Sequence, residues 1–193
     1  MPKKGKLVYS ILFVFLWSKA AWSSDITVYF SPNGGCQYAV ISEIRKAVQS
    51  IDIAMYYLSS RDIAQALLKA QERKVKIRIV LDQGQEIESA SKSGYLVKHG
   101  FQIKYHLGFG LMHNKFAIID GKTMITGSFN WTITAEERNE ENLLVIRDPD
   151  TINKFQERFN YLWNTSRPDL RNARIDDAFP AWLCTSFHIF CSN

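Results

Sequence analysis

His113 and Lys115 stand two residues apart, and Asp120 follows Lys115 after four intervening residues. On a strand, residues two apart point to one face, so the imidazole and the ammonium aim the same way. Phe116 and Ile118 face the opposite side, and Asp120 ends the strand at a turn. A second group, Gly127-Ser128-Phe129-Asn130, comes after a hairpin that lays Ser128 and Asn130 beside the first strand. Glu140, Glu141 and Asn142 then precede a further strand. This set suits phosphoryl transfer. A neutral imidazole is a competent nucleophile near neutral pH. It needs an acceptor to fix its tautomer, and Glu141 would serve. Lys115 would bring positive charge to the phosphate oxygens, and Ser128 and Asn130 would donate hydrogen bonds to them. Asp120 is expected to hold Lys115 or a histidine in place.

A lone histidine in a strand is usually structural, and a lysine near a turn is usually solvated. The spacing His-x-Lys-x4-Asp arises by chance in roughly one chain in a hundred of this length. The nearby Gly-Ser-x-Asn makes coincidence far rarer, so the two groups together carry the chemical reading.

The elements that must position these residues alternate early and pair late. Strands are expected at 26–30, 51–58, 75–81, 101–107, 115–119, 123–127 and 143–146. Helices are expected at 39–50, from Ser59 or Ser60 to about 73, at 85–98, around 134–138 and at 151–163. Alternating strands and helices followed by a hairpin predict an α/β fold, a mixed β-sheet with helices on both faces, in a single domain over 24–166. The tail 167–193 has no clear pattern.

The chain has 193 residues and a formal charge of +5. Lys3, Lys4 and Lys6 precede an apolar run over 7–17, and small residues follow Lys19. This three-part pattern predicts a cleaved signal peptide over 1–23, hence a periplasmic or secreted protein; an uncleaved membrane anchor is the alternative. Without residues 1–23, 20 basic residues face 19 acidic ones, so bulk charge gives only weak support for a nucleic-acid partner and any attraction must come from a local patch. Lys74, Lys76 and Arg78 share one strand face and could contact phosphates, although such runs are usually solvated. Tyr56, Tyr57, Phe109 and Phe129 could stack on bases, although such residues are more often core. Cys36, Cys184 and Cys191 lack zinc-site spacing, so no metal is expected. Cys184 and Cys191 could close a small loop, and the pairing stays open.

His113-Asn114-Lys115 through Asp120-Gly121, with Gly127-Ser128-Phe129-Asn130, resembles the HKD signature of the phospholipase D superfamily, most closely its small bacterial endonuclease branch. The resemblance runs over about 26–163. It implies a phospholipase D-like fold, a covalent phosphohistidine intermediate, no cofactor and no metal. It assigns functional positions to His113, Lys115, Asp120, Ser128 and Asn130, and to Glu141 as the acid that orients the histidine. In-line transfer needs a nucleophile on one side and a proton donor on the other. One His113 cannot do both, so a homodimer with two facing copies is expected, its pair of imidazoles giving a bell-shaped rate profile. A non-specific endonuclease acting on DNA or RNA is the favoured reading. A lipid phosphodiesterase acting on phospholipid and a non-catalytic nucleic-acid-binding module are the alternatives.

Overall fold

The central strands are apolar on both sides, which demands cover on both faces of their sheet. The computed structural model describes residues 25–169 and 171. Its strands are β1 (Asp25–Ser31), β2 (Ser50–Met55), β3 (Lys76–Asp82), β4 (Gln102–His106), β5 (Lys115–Ile119), β6 (Thr123–Gly127), β7 (Glu141–Arg147) and β8 (Arg167–Pro168). They form one mixed sheet in the order β1-β7-β6-β5-β2-β3-β4-β8. The helices are α1 (Cys36–Lys46), α2 (Arg61–Glu72), α3 (Ser93–Lys98), α4 (Ile133–Glu137) and α5 (Pro149–Thr165). Ile51, Ile53 and Met55 pack into a core with α1 and α2. Ala54, Val80, Phe116 and Ile118 pack with Phe159 and Leu162 of α5 on the other face. The expected mixed sheet with helices on both faces is therefore present.

Strand direction decides what this sheet can present. β2, β3 and β4 are parallel, while β5 and β7 run against their neighbours. The carboxyl ends of β1, β2, β3, β4 and β6 thus share one edge with the amino ends of β5 and β7. Register fixes this: Met55 lies opposite Lys115, Gly127 opposite Leu143, and Ser31 opposite Glu141. In open α/β sheets, ligands bind outside that edge.

Local signals account for most boundaries. Ser60 caps α2 by accepting from Ile63 N at 3.3 Å. Asp148 caps α5 by accepting from Thr151 N at 2.8 Å, and Pro149 fits the first turn because its missing N–H is not needed there. Two expected helices come out shorter. The first stops at Lys46 rather than Ser50. The second becomes a 3-10 turn at Gln83–Glu86, an irregular stretch, and then α3. Tertiary bonds break it: Leu58 N donates to Gln85 Oε1 at 3.3 Å, and Lys92 N donates to Leu58 O at 2.9 Å. One element lies beyond the expected domain end, because Arg167 pairs with Tyr105 of β4. The expected leader, His188, Cys184 and Cys191 lie outside the described residues. Cys36 is free and buried.

Asp120 explains why the first helix ends early. Its carboxylate accepts from Val48 N at 2.9 Å, Gln49 N at 2.7 Å and Ser50 N at 2.9 Å. Those bonds hold the chain extended between α1 and β2. Asp120 and Gly121 both take positive φ, 53° and 62°, the backbone that Asp-Gly supplies in tight hairpin turns. Burial pushes the Asp120 carboxyl up, but the three N–H bonds and Lys122 outweigh it and hold it below the usual range. A depressed folded value means the stabilisation is in place above about pH 4 and fades as pH falls through that value. Asp120→Asn keeps the turn geometry and removes the charge. It should cost about 1–2 kcal/mol in urea unfolding at pH 7, and the gap to the native chain should close at acid pH.

Candidate active site

Residues 107–114 carry no ladder bonds of their own before β5 begins, and two ties fix the backbone around His113. Met112 N donates to Asp82 Oδ2 at 2.9 Å, and Tyr56 N donates to Asn114 O at 2.8 Å. His113 itself is exposed at the ligand edge of the sheet. Lys115 Nζ lies 3.0 Å from His113 Nδ1 and 3.1 Å from Nε2, and donates to the His113 carbonyl at 2.9 Å. A neutral imidazole offers one accepting nitrogen, so the ammonium engages one of the two. The Tyr56 ring sits 4.4 Å from the imidazole and 5.1 Å from Lys115 Nζ, walling both. Burial pulls the Lys115 ammonium below the ordinary lysine range, and the Glu141 carboxylate opposes that pull.

Ser128 and Asn130 reach this edge through a sharp turn. Gly127 has φ 145°, and a Cβ built there would lie 2.2 Å from Asn142 O. Only glycine permits that approach. It lets Ser128 N and Phe129 N both donate to Asn142 O, at 3.1 and 3.3 Å. Ser128 Oγ in turn accepts from Asn142 N at 3.0 Å and Asn142 Nδ2 at 3.3 Å. Both lone pairs of the hydroxyl are then engaged, which leaves its O–H free to donate to a ligand. The segment next crosses the end of β2: Trp131 N donates to Tyr57 O, and Ser59 N and Ser60 N donate to Trp131 O. Asn130 therefore lies near Tyr56, and its Oδ1 is buried with no hydrogen-bond partner. Such unpaired atoms are uncommon, and since this one is an acceptor, any hydrogen bond to a phosphate oxygen would come from the Asn130 amide nitrogen.

The structure gathers His113, Lys115, Ser128, Asn130 and Glu141 at one edge and leaves the other expected residues elsewhere. Asp120 stands at the far end of β5, about 17 Å from Lys115 along the strand, and holds neither Lys115 nor a histidine. Glu141 Oε1 accepts from Asn139 Nδ2 at 3.1 Å rather than from the His113 ring. Within one chain it acts on Lys115 by its charge. Lys74, Lys76 and Arg78 sit at the opposite end of the sheet. Arg78 is bound by Asp52 at 2.7 and 2.8 Å and lies over the Phe159 and Trp163 rings. Lys74 occupies a turn at φ 70°. Phe129 is core, while Phe109 is fully exposed. Cys36 offers no rival nucleophile, because burial first and Glu136 next push its thiol up to about 11. Tyr56 as the wall of His113 and Asp82 as a backbone tie were not foreseen. A single aspartate closing an apolar strand was the available signal for Asp82.

A family model described as cardiolipin synthase, PLD-like domain, matches residues 40–163. The chain belongs to the phospholipase D superfamily. A phospholipase D of Rickettsia prowazekii is 39% identical over 125 residues, covering 65% of this chain and 61% of that relative. A mitochondrial cardiolipin hydrolase of Danio rerio is 32% identical over 130 residues, covering 67% of this chain and 57% of that relative. The chain thus spans about three-fifths of these curated relatives. Among solved structures, Nuc from Salmonella typhimurium, a phospholipase D family member, superposes with a TM-score of 0.72 at 33% identity, covering 76% of this chain and 99% of Nuc. NucT from Helicobacter pylori gives 0.71 at 28% identity, covering 76% of this chain and 100% of NucT. Gly127 tests the site geometry of this superfamily member. Gly127→Ala should lose about 2–3 kcal/mol in chemical denaturation and displace Ser128, because both the positive φ and the contact with Asn142 O forbid a methyl group.

Proposed function

We propose that this chain is a phosphodiester hydrolase that needs no metal and works through a covalent bond to His113. The observation that carries the reading is the exposed His113 ring with the Lys115 ammonium about 3 Å from its nitrogens. An arriving diester would draw the ammonium onto its oxygens and free the imidazole to attack phosphorus. Ser128 O–H is oriented to donate to the same oxygens. The P–N bond forms as the P–O bond to the leaving group breaks. The leaving oxygen takes a proton from a second imidazole across the site. That imidazole then removes a proton from water, the water oxygen attacks phosphorus, and the P–N bond breaks.

The second imidazole is His113 of another copy. Among the described residues, His99 Nδ1 lies 2.8 Å from Tyr95 O and His106 Nδ1 accepts from Gly108 N at 3.3 Å, so both are engaged locally and neither has a lysine on its ring. Two copies meeting about a two-fold axis supply both roles from one sequence.

Nucleic acid is the first substrate reading. It rests on the motif resemblance to the endonuclease branch and on a match spanning nearly all of Nuc and NucT, against three-fifths of the lipid-named relatives. The Lys74, Lys76 and Arg78 face lends it no help, since it lies at the wrong end. Phospholipid is the second reading, and a specific observation favours it. Leu107, Phe109 and Leu111 are all exposed, carry no charge, and run directly into His113.

One assay tests the reaction and separates the substrates. Purified protein in EDTA is given plasmid DNA, RNA, and vesicles of phosphatidylcholine or cardiolipin. Cleavage should persist in EDTA, and His113→Ala should lose about a thousandfold or more of the rate with an unchanged melting curve. Strict dependence on a divalent ion, or an active His113→Ala protein, would overturn the mechanism. Sedimentation of the active species should give a dimer, and an active monomer would refute the shared site.

A further inference from the structure

Asp82 ends β3 and is 5% exposed, yet no cation is bonded to it among the described residues. Burying a carboxylate without a counter-charge is costly unless strong hydrogen bonds replace the lost water. Asp82 has two such bonds, one to each oxygen. Oδ1 accepts from Gly84 N at 3.0 Å, and Oδ2 accepts from Met112 N at 2.9 Å. The first shapes the turn that leaves β3. The second reaches across 30 residues of sequence to the peptide immediately before His113.

That second bond matters because the approach to His113 is thinly held. Leu107, Phe109 and Leu111 are exposed, and ladder pairing starts only at Lys115. The chain is pinned at Met112, whose side chain is buried, and at Asn114, whose carbonyl takes Tyr56 N. The Asn114 pin is backbone to backbone and would form with almost any residues there. The Met112 N–H pin exists only because residue 82 presents a side-chain acceptor. Ahead of His113, side-chain identity therefore fixes the backbone at Met112, while Lys115 ties the His113 carbonyl behind it.

We propose that Asp82 is a positioning residue for His113: it holds the Met112 peptide so that the imidazole meets the phosphorus and Lys115 in register. This rests on the reading of His113 as the nucleophile. It acts through the backbone, touches no substrate, and so should affect the bond-making step far more than binding. Misplacing a reacting group by about 1 Å can cost on the order of a hundredfold in rate.

Asp82→Asn tests it with the fold preserved. The amide matches the carboxylate in shape, but it can accept only one of the two N–H bonds and turns its NH2 on the other. The measurements are steady-state rates on bis(p-nitrophenyl) phosphate in EDTA, a melting curve, and the 15N spectrum of the His113 ring. The expected result is a kcat lower by about 10- to 100-fold. KM should stay within about twofold, the melting midpoint should fall by only a few degrees so that the rates are read on folded protein, and the His113 ring signals should be shifted or broadened. Asp82→Leu, which can accept neither bond, is measured beside it, and a kcat within threefold of the native chain in both variants would overturn the proposal. So would a loss of rate that follows the melting curve and disappears on cooling, because that marks a merely structural role. If the native chain leaves the diester intact, the reaction reading fails, and the ring spectrum alone then decides whether Asp82 fixes His113. An unperturbed spectrum in Asp82→Asn would overturn the positioning role.

Discussion

A lysine ammonium half withdrawn from water against an imidazole is the contact on which the site depends. Partial burial disfavours the charged ammonium, and Glu141 at the start of β7 offsets that by supplying the opposite charge. Remove the carboxylate and Lys115 loses part of the reason to stay charged where a phosphate must be met. The distance between Lys115 and Glu141 is set by the register of three antiparallel strands, β5, β6 and β7, not by any direct bond between them. The eight-stranded sheet can therefore be read as a ruler that places one cation, one imidazole and one acid along a single edge.

Strand direction explains why those groups share that edge. Three parallel strands ending together leave an open rim of backbone, and the hairpin of β5 and β6 is inserted so that β5 starts there. Asp120 secures the other end of the same strand. Its three N–H bonds tie the β5–β6 turn to the entry of β2, the immediate neighbour of β5. One motif thus serves two ends of one strand: His113 and Lys115 face the ligand edge, and Asp120 fixes the strand that carries them.

The sheet, its helical cover and the residues at the rim were legible in the sequence because they follow from period and spacing. His113 and Lys115 share a face by strand geometry, and Gly127 before Ser128 announced a turn. What was not legible depends on tertiary partners. Asp120 looks like a catalytic acid in one dimension, and only the packing of α1 and β2 reveals the three peptide groups it caps. Arg78 reads as a phosphate contact until Asp52, Phe159 and Trp163 enclose it. The stretch 85–98 has helical composition, but bonds to Leu58 cost less than continuing the helix. Tyr56 looked like core or a base platform, and only the pairing of its peptide with Asn114 brings its ring onto His113.

The rim's charge limits how a substrate can be recognised. The basic strand face of Lys74, Lys76 and Arg78 lies at the far end of the sheet. Long-range attraction of a polyanion to this edge therefore has to come from cations at the rim itself, since steering needs a local excess of one sign. Lys115 can neutralise about one phosphate, and the exposed Arg61 at the start of α2, just beyond β2, is a further cation on the same side of the sheet. Affinity must then come from contacts beside that phosphate. The exposed Leu107, Phe109 and Leu111 lie on one side of it. Those side chains favour close, desolvating contact with a ligand. Such a rim leaves its specificity to whatever covers those three apolar side chains.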